Sequence, residues 1–390
     1  MLAGVNVALG VSGSIAAVKT VELAHELRRQ GADVRAVMSG AARGIIHPWA
    51  LEFATENAVI TEITGSVEHV ELCGNDGWAD VLLLAPTTAN TVGKIASAID
   101  DTPVTTTATT ALGADVPVVV APAMHEPMYD HPGVLESIER LEAWGIDFAE
   151  PRLEEGKAKI ASEEAIVLET ARAAGGQPLS GHHVVVTSGP TSESLDPVRI
   201  LTNRASGRTG RAVAKASYVR GADVTLVHDG ETVPYADVLS VESAAEMLEA
   251  VRSVVGKADA LVSAAAISDY TIETAPEKIR SGQELTLELD PTPKLIDAVR
   301  EEHPELSVVG FKLETSGDDE AMTERARKTL RRAGLTFVVA NDASVMGAET
   351  TRVLLVDEDD VTIEEGTKTE IGGRIADALA VELEKTDPER

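Results

Sequence analysis

Several short stretches of this 390-residue chain gather residue types that bind anions or move protons. Gly10-Val-Ser12-Gly13-Ser14 follows an apolar run, Val5–Leu9, and precedes an amphipathic stretch. A glycine-rich turn between a strand and a helix offers backbone N–H groups and a positive dipole end to an anion. Many such turns serve chain geometry alone, so this one by itself is a weak signal. Ala85-Pro-Thr-Thr88-Ala-Asn90 follows a second apolar run and adds hydroxyls and an amide; Thr105 and Thr106 come shortly after. A lone histidine such as His69 is by default a structural or surface residue. Cys73 is the single cysteine, which excludes an intramolecular disulfide and a cysteine-cluster metal site.

The elements that must position these residues repeat one cadence: a β-branched run, a Gly-rich turn, an amphipathic segment. The spacing of Ala17, Val21, Ala24 and Leu27 predicts a helix over Ile15–Gln30, stopped by Gly31. Val34–Met38, Val81–Ala85 and Val116–Ala121 read as strands whose continuous apolar character suits a parallel sheet covered on both faces. Ala173-Ala-Gly-Gly-Gln-Pro178 reads as a linker, after which the cadence restarts. Val184–Ser188 is a predicted strand, Gly189–Thr209 a long loop and Gly210–Arg220 a helix, with further strands at Val224–Val227 and Ala260–Ala264. Asp357–Glu365 reads as an acidic hairpin. The expected fold class is α/β, with two doubly wound Rossmann-like domains at 1–178 and 179–390 and ligands at the carboxyl ends of strands.

Thirty-four Lys and Arg against 64 Asp and Glu leave a net charge of −30, which argues against nucleic acid or an anionic membrane surface as a partner. No apolar run approaches the ~18 residues of a membrane span. The chain shows no basic region before an apolar core at Met1, so a cytoplasmic location is expected. The acidic excess is spread along the whole sequence, the pattern of a surface adapted to high salt, where counter-ions screen self-repulsion. The bland alternative is an ordinary acidic prokaryotic enzyme.

Together with Gly10–Ser14, Ala85–Ala96 and Asp100–Thr107, the run Ala121-Pro-Ala-Met124-His125-Glu-Pro-Met128 resembles the homo-oligomeric flavin-containing cysteine decarboxylases over about residues 4–165. The resemblance implies FMN, with Gly10, Ser12, Gly13, Ser14, Ser39, Thr88 and Asn90 as cofactor contacts and Thr105 and Thr106 behind them. It identifies His69 as the family's essential histidine. An imidazole is suited to taking a thiol proton while flavin accepts a hydride from the adjacent carbon. Met124 and His125 fall on the family's substrate clamp, Pro-Ala-Met-Asn, with histidine in place of the asparagine. Bacterial members carry a lid cysteine; Pro151–Ala161, the corresponding stretch, has none, and Lys157 or Lys159 is the candidate proton donor there. Both departures look like the archaeal branch. Cys73 sits in an inserted Cys73-Gly-Asn-Asp-Gly77 turn and reads as an accidental surface thiol.

The most specific stretch, Thr187–Gly210, closely resembles the phosphopantothenate–cysteine ligase signature. Ala264–Tyr270, Pro276–Ile279, Gly310–Glu314 and Ala340–Asp342 follow in family order. By that resemblance Asn203 polarises an acyl group, Ser206, Gly207 and Gly210 cradle phosphate, and Lys278 neutralises triphosphate. Ala264, Ala265, Ala266, Asp269 and Phe311 map onto nucleotide-binding positions, with Asp269 the candidate Mg²⁺ ligand. CTP is the family expectation; the residues themselves do not exclude ATP. The family's Pro-Asp-Ile is Pro293-Lys294-Leu295 here, and two expected lysines fall at Thr329 and Ala333. Lys328, Arg331 and Arg332 either supply that charge or form a solvated helix face.

The resemblances imply a bifunctional enzyme of coenzyme A biosynthesis: ligation of 4′-phosphopantothenate with L-cysteine, then decarboxylation to 4′-phosphopantetheine. They also imply a homo-oligomer, a dodecamer if decarboxylase trimers combine with ligase dimers. The alternatives are a ligase whose flavin domain takes another substrate, and a regulatory flavoprotein.

Overall fold

A computed structural model describes residues 1–154, 157–280, 282, 284–314, 318–342 and 350–386. By contact it divides into two units, Met1–Gly176 and Gln177–Arg390.

In the first unit a parallel sheet is built from β1 (Asn6–Val11), β2 (Asp33–Met38), β3 (Val81–Thr87) and β4 (Val118–Pro122). Four short strands follow: β5 (Met124–His125), β6 (Asp147–Phe148), β7 (Arg152–Glu154) and β8 (Lys157–Lys159). The main sheet runs β2-β1-β3-β4-β6, and β5, β8 and β7 form a small antiparallel sheet of their own. Every residue of β3 and β4 is buried, as a strand covered on both faces requires. Each Val or Leu so buried contributes roughly 1.5–3 kcal/mol relative to an exposed one.

The helix expected over Ile15–Gln30 begins instead with a 3₁₀ turn, Ile15–Lys19, and turns α-helical over Thr20–Arg29. Ile15 and Val18 face solvent while Ala17, Leu23, Ala24 and Leu27 are buried, so the apolar stripe enters the first turn through Ala17 alone.

The second unit contains β9 (His183–Ser188), β10 (Ser192–Ser194), β11 (Ile200–Thr202), β12 (Asp223–His228), β13 (Asp237–Ser240) and β14 (Ala260–Ser263). Then come β15 (Tyr270–Thr271), β16 (Asp290–Pro291), β17 (Ser307–Glu314), β18 (Phe337–Asp342), β19 (Thr350–Val356) and β20 (Val361–Thr367). The main sheet runs β13-β12-β9-β14-β17-β18-β19-β20; it is parallel up to β18, and β19 and β20 add an antiparallel hairpin. The acidic hairpin expected at Asp357–Glu365 is the turn and second strand of that pair. The segment expected to be a plain loop, Gly189–Thr209, carries the β10–β11 hairpin, with Ser192 facing Thr202. Its strands are three residues each, too short for periodicity to reveal.

Strand order reverses in both units beside the first strand, between β1 and β3 and between β9 and β14. These are the topological switch points of doubly wound sheets. Among the described residues no helix is long and apolar enough to cross a membrane.

Candidate active sites

At the first switch point the turns after β1 and β3 are tied together. The Ser12 hydroxyl donates to the Pro86 carbonyl at 2.8 Å and accepts from the Thr88 N–H at 3.1 Å. Ser14 caps the 3₁₀ turn and donates to the Ala123 carbonyl at 3.2 Å. Ser39 and Thr88 are N-caps of the helices Gly40–Arg43 and Ala89–Ala96. Gly13 allows close approach of these turns, since a Cβ there would stand 2.4 Å from the Ala41 Cβ. Gly10 is buried within β1, and Asn90 is exposed in the first turn of its helix. Thr105 is buried and closes a capping box with Thr102, a structural task. The Thr106 hydroxyl donates to the Asp100 carbonyl at 2.9 Å. Hydroxyls, an amide and a helix start at a switch point fit a flavin mononucleotide.

His69 lies in the first turn of the helix Glu68–Cys73. Its Nδ1 is buried without a hydrogen-bond partner among the described residues. The residue before the helix, Val67, has φ of 48°, an uncommon conformation for a β-branched side chain. Cys73 closes the same helix and corrects the sequence expectation: it is fully buried in the apolar core, not a surface thiol. Burial pushes its pKa up to about 12. The turn after it folds back, with the Trp78 N–H donating to the Glu71 carbonyl at 2.9 Å, and Trp78 packs against the apolar cluster that contains Cys73.

The stretches read as clamp and lid meet through the backbone. Strand β5 pairs with β8, Met124 opposite Ala158 and His125 opposite Lys157; Lys159 stands opposite Arg152. Lys159 is half-buried, and the side chain of Lys157 lies outside the described residues.

At the second switch point the loops after β9 and β14 interlock. The Asn203 side chain donates to the Ala266 carbonyl at 2.7 Å and accepts from the Ala205 N–H at 3.0 Å. Gly207, with φ of 67°, caps the helix Arg208–Val219 without a side chain, leaving its first-turn N–H groups to a ligand. A Cβ on Gly207 would lie 2.9 Å from the Gly189 backbone, so only glycine packs there. Ser206 is exposed beside it and Gly210 is buried in the first turn. Burial, and then the charge of Arg208, hold the Lys368 ammonium below its ordinary pKa.

The N–H groups of Ala264, Ala265 and Ala266 are all spent within the chain, on Val262 O, Thr187 Oγ1 and Gly189 O. These alanines therefore offer a ligand surface rather than donors. Asp269 pairs with the Lys294 ammonium, and both line a cavity of about 250 Å³ with Ala265 and Phe311. Among the described residues no three His, Cys, Asp or Glu side chains gather to hold a metal. A single carboxylate suits Mg²⁺ only where substrate phosphates and water complete its shell.

Sequence reasoning gave no role to Asp196, Thr191 and Glu193, all buried. The Asp196 carboxylate accepts from the N–H groups of Val198, Arg199 and Ile279 at 2.8, 2.9 and 3.0 Å and from the Arg199 guanidinium at 2.7 Å. Burial alone would raise its pKa; those N–H donors and the Arg199 charge outweigh burial and hold it low. Ile279 adjoins the exposed Lys278, so this knot anchors the lysine's loop. Thr191 Oγ1 accepts from the Ser268 N–H at 2.8 Å. Glu193 accepts from the Ala244 N–H and the Thr271 hydroxyl, at 3.0 and 2.7 Å. An Asp-Pro pair and polar residues in a Gly-rich loop were the available signals.

Two family models match the chain: a flavoprotein model over residues 1–175, and the DNA/pantothenate metabolism flavoprotein C-terminal domain over residues 179–383. The coenzyme A biosynthesis bifunctional protein CoaBC of Thermococcus kodakarensis is 49% identical over 97% of this chain and 95% of its own. The protein of that name from Bacillus subtilis is 36% identical over 89% of this chain and 88% of its own. A crystal structure of the C-terminal domain of such a protein is 30% identical, covering 54% of this chain and 100% of that one, with a TM-score of 0.46. With matches of this extent across both units, the chain belongs to the family of coenzyme A biosynthesis bifunctional proteins.

Proposed function

We propose that residues 179–390 join 4′-phosphopantothenate to L-cysteine at the expense of CTP, and that residues 1–178 decarboxylate the product to 4′-phosphopantetheine. What supports this reading is a switch point in each unit, with Ser12 and Thr88 on the turns of one and Asn203 and Gly207 on the loops of the other, in a chain whose relatives match along nearly all its length.

In the ligase the substrate carboxylate attacks the α-phosphate of CTP and releases pyrophosphate; the cysteine amine then displaces CMP from the acyl-cytidylate. Lys278 offsets triphosphate charge as it develops on the leaving group. The bare start of the helix Arg208–Val219 receives phosphate beside Ser206, Gly207 and Gly210. Asn203, with one amide hydrogen used on Ala266, directs the other to the acyl oxygen. Asp269 would be the chain's ligand to Mg²⁺, which would offset phosphate charge.

In the decarboxylase, FMN would supply a hydride acceptor for the thiol-bearing carbon and give the hydride back once CO₂ has left, so that the net reaction is redox-neutral. His69 takes the thiol proton, Met124 and His125 hold the substrate, and Lys159 delivers a proton from the lid. Trp49 and Phe53, one turn apart and exposed on the helix Pro48–Thr55, support a second copy of the chain packing against this unit. The full chain is tested by flavin absorbance after gel filtration, with the released flavin identified by mass and the oligomer sized in the same run. A colourless chain that takes up no added FMN contradicts the decarboxylase half.

A further inference from the structure

In a doubly wound sheet the helices run against the strands, so helix carboxyl ends collect at the strands' amino ends, the face opposite Asn203 and Gly207. In the second unit three of them border one cavity of about 440 Å³. The helix Ala244–Val255 reaches it through Val255 and Gly256, and the helix Leu295–Glu302 through Glu302 and His303. The helix Lys368–Thr386 reaches it through Leu383 and Thr386. Each carboxyl end carries a partial negative charge that favours a cation. Asp259, Glu302 and Glu305 add carboxylates, and among the described residues no Lys or Arg lines the wall. Arg300 fixes the rim without lining it: its guanidinium donates to the Pro304 and Leu306 carbonyls at 2.6 and 2.8 Å.

An independent feature of the same wall is His182. It is 8% exposed, and its Nδ1 is buried with no hydrogen-bond partner among the described residues. Asp259 Oδ2 stands 3.7 Å from that nitrogen, too far for a hydrogen bond, and accepts instead from the His183 N–H at 2.8 Å. A buried polar atom left in this state costs stability until something satisfies it. A cation bearing N–H groups, held between Nδ1 and Oδ2, donates to both. Metal ions suit the place less well. Mg²⁺ and Ca²⁺ take oxygen ligands rather than imidazole, and among the described residues no three metal-binding side chains gather. Val255, Leu306 and Leu383 give the wall an aliphatic part against which a methylene stem can lie.

We propose that this cavity binds an aliphatic diammonium ion, one head between Asp259 and His182 and the other at Glu302 and Glu305. The proposal stands apart from the ligase reading, since the cavity lies on the opposite face of the sheet and its lining selects cations. A chain of net charge −30 attracts any cation diffusely. What this cavity adds is a buried acceptor at one end, carboxylates at both, and an apolar surface for the stem. Asp259 leads into β14 and Ser307 opens β17, so an ion held here sits at the amino ends of strands that run to the other face.

The test is equilibrium dialysis of the full chain against diaminobutane in about 0.1 M salt, with butylamine and Mg²⁺ as controls. The parent is expected to show a saturable diamine site and to bind butylamine several-fold more weakly. His182→Leu is expected to weaken the diamine about tenfold, the loss of one charge-assisted contact. Glu305→Gln, an exposed change that keeps the test valid should His182→Leu unfold, is expected to weaken it about threefold. Glu302 also holds Arg252 at 2.8 Å and is left in place. Glu320→Gln, on the helix Asp319–Ala333 and outside the cavity, stays within about 1.5-fold of the parent. A parent that binds no diamine, or a folded site variant that binds it like the parent, overturns the proposal. So does Mg²⁺ displacing the diamine at equal concentration, or Glu320→Gln losing as much as Glu305→Gln, since either result assigns the binding to diffuse charge.

Discussion

Asp196 accepts a hydrogen bond from the Ile279 N–H at 3.0 Å across 83 residues of chain. That bond ties the loop bearing Lys278 to the turn Asp196–Arg199, which is itself bound to the same carboxylate. An asparagine side chain of the same shape presents an NH₂ where an acceptor is needed, so Asp196→Asn releases one side of the knot. Ligase turnover is expected to fall on the order of 10²-fold, the cost of a misplaced charged group. Decarboxylation of added substrate is expected to be unchanged. Because the folded chain holds Asp196 below its ordinary 3.8, its stabilising contribution is present above that pH and is lost as pH falls through the lowered value. A ligase assay of Asp196→Asn at the parent rate would contradict the anchoring role.

The two chemistries use different units, so they are expected to separate by mutation. His69→Asn abolishes CO₂ release from phosphopantothenoylcysteine and leaves amide formation intact; Lys278→Gln does the reverse. Both are read by product mass. A folded His69→Asn chain that loses both activities would count against two independent centres.

Cys73 and Lys159 make opposite predictions about the missing lid thiol. Cys73→Ser buries a hydroxyl among apolar side chains, which costs about 1–3 kcal/mol and lowers the melting temperature while sparing decarboxylation. Lys159→Met is expected to fold normally, to slow decarboxylation and to let the oxidised enethiol, two hydrogens short of phosphopantetheine, accumulate. Cys73→Ser stalling at that species would make Cys73 the proton donor.

The parallel cores were legible because buried strands such as Val81–Thr87 are apolar throughout. The motif turns were legible because glycines and cap hydroxyls fall at strand–helix junctions. What escaped the sequence depends on distant contacts. Nothing near Cys73 announces that it is buried in the apolar core, and Asp196 meets Ile279 only in the folded chain. Arg332 likewise meets Asp297 on another helix.

Stability is expected to rise with salt. Thirty excess negative charges repel one another, and the repulsion is short-ranged once the Debye length reaches ~3 Å near 1 M. The check is the melting temperature in dilute buffer and in molar KCl. A value that does not move would argue that the acidic surface is not a salt adaptation.

The central claim, two consecutive activities on one chain, is tested most directly by the product mass spectrum of the purified full chain given 4′-phosphopantothenate, L-cysteine, Mg²⁺ and CTP. The expected result is 4′-phosphopantetheine with CMP and pyrophosphate, and phosphopantothenoylcysteine as the transient species. Phosphopantothenoylcysteine that persists unchanged in an FMN-loaded chain would contradict the claim, as would a mixture in which no amide forms.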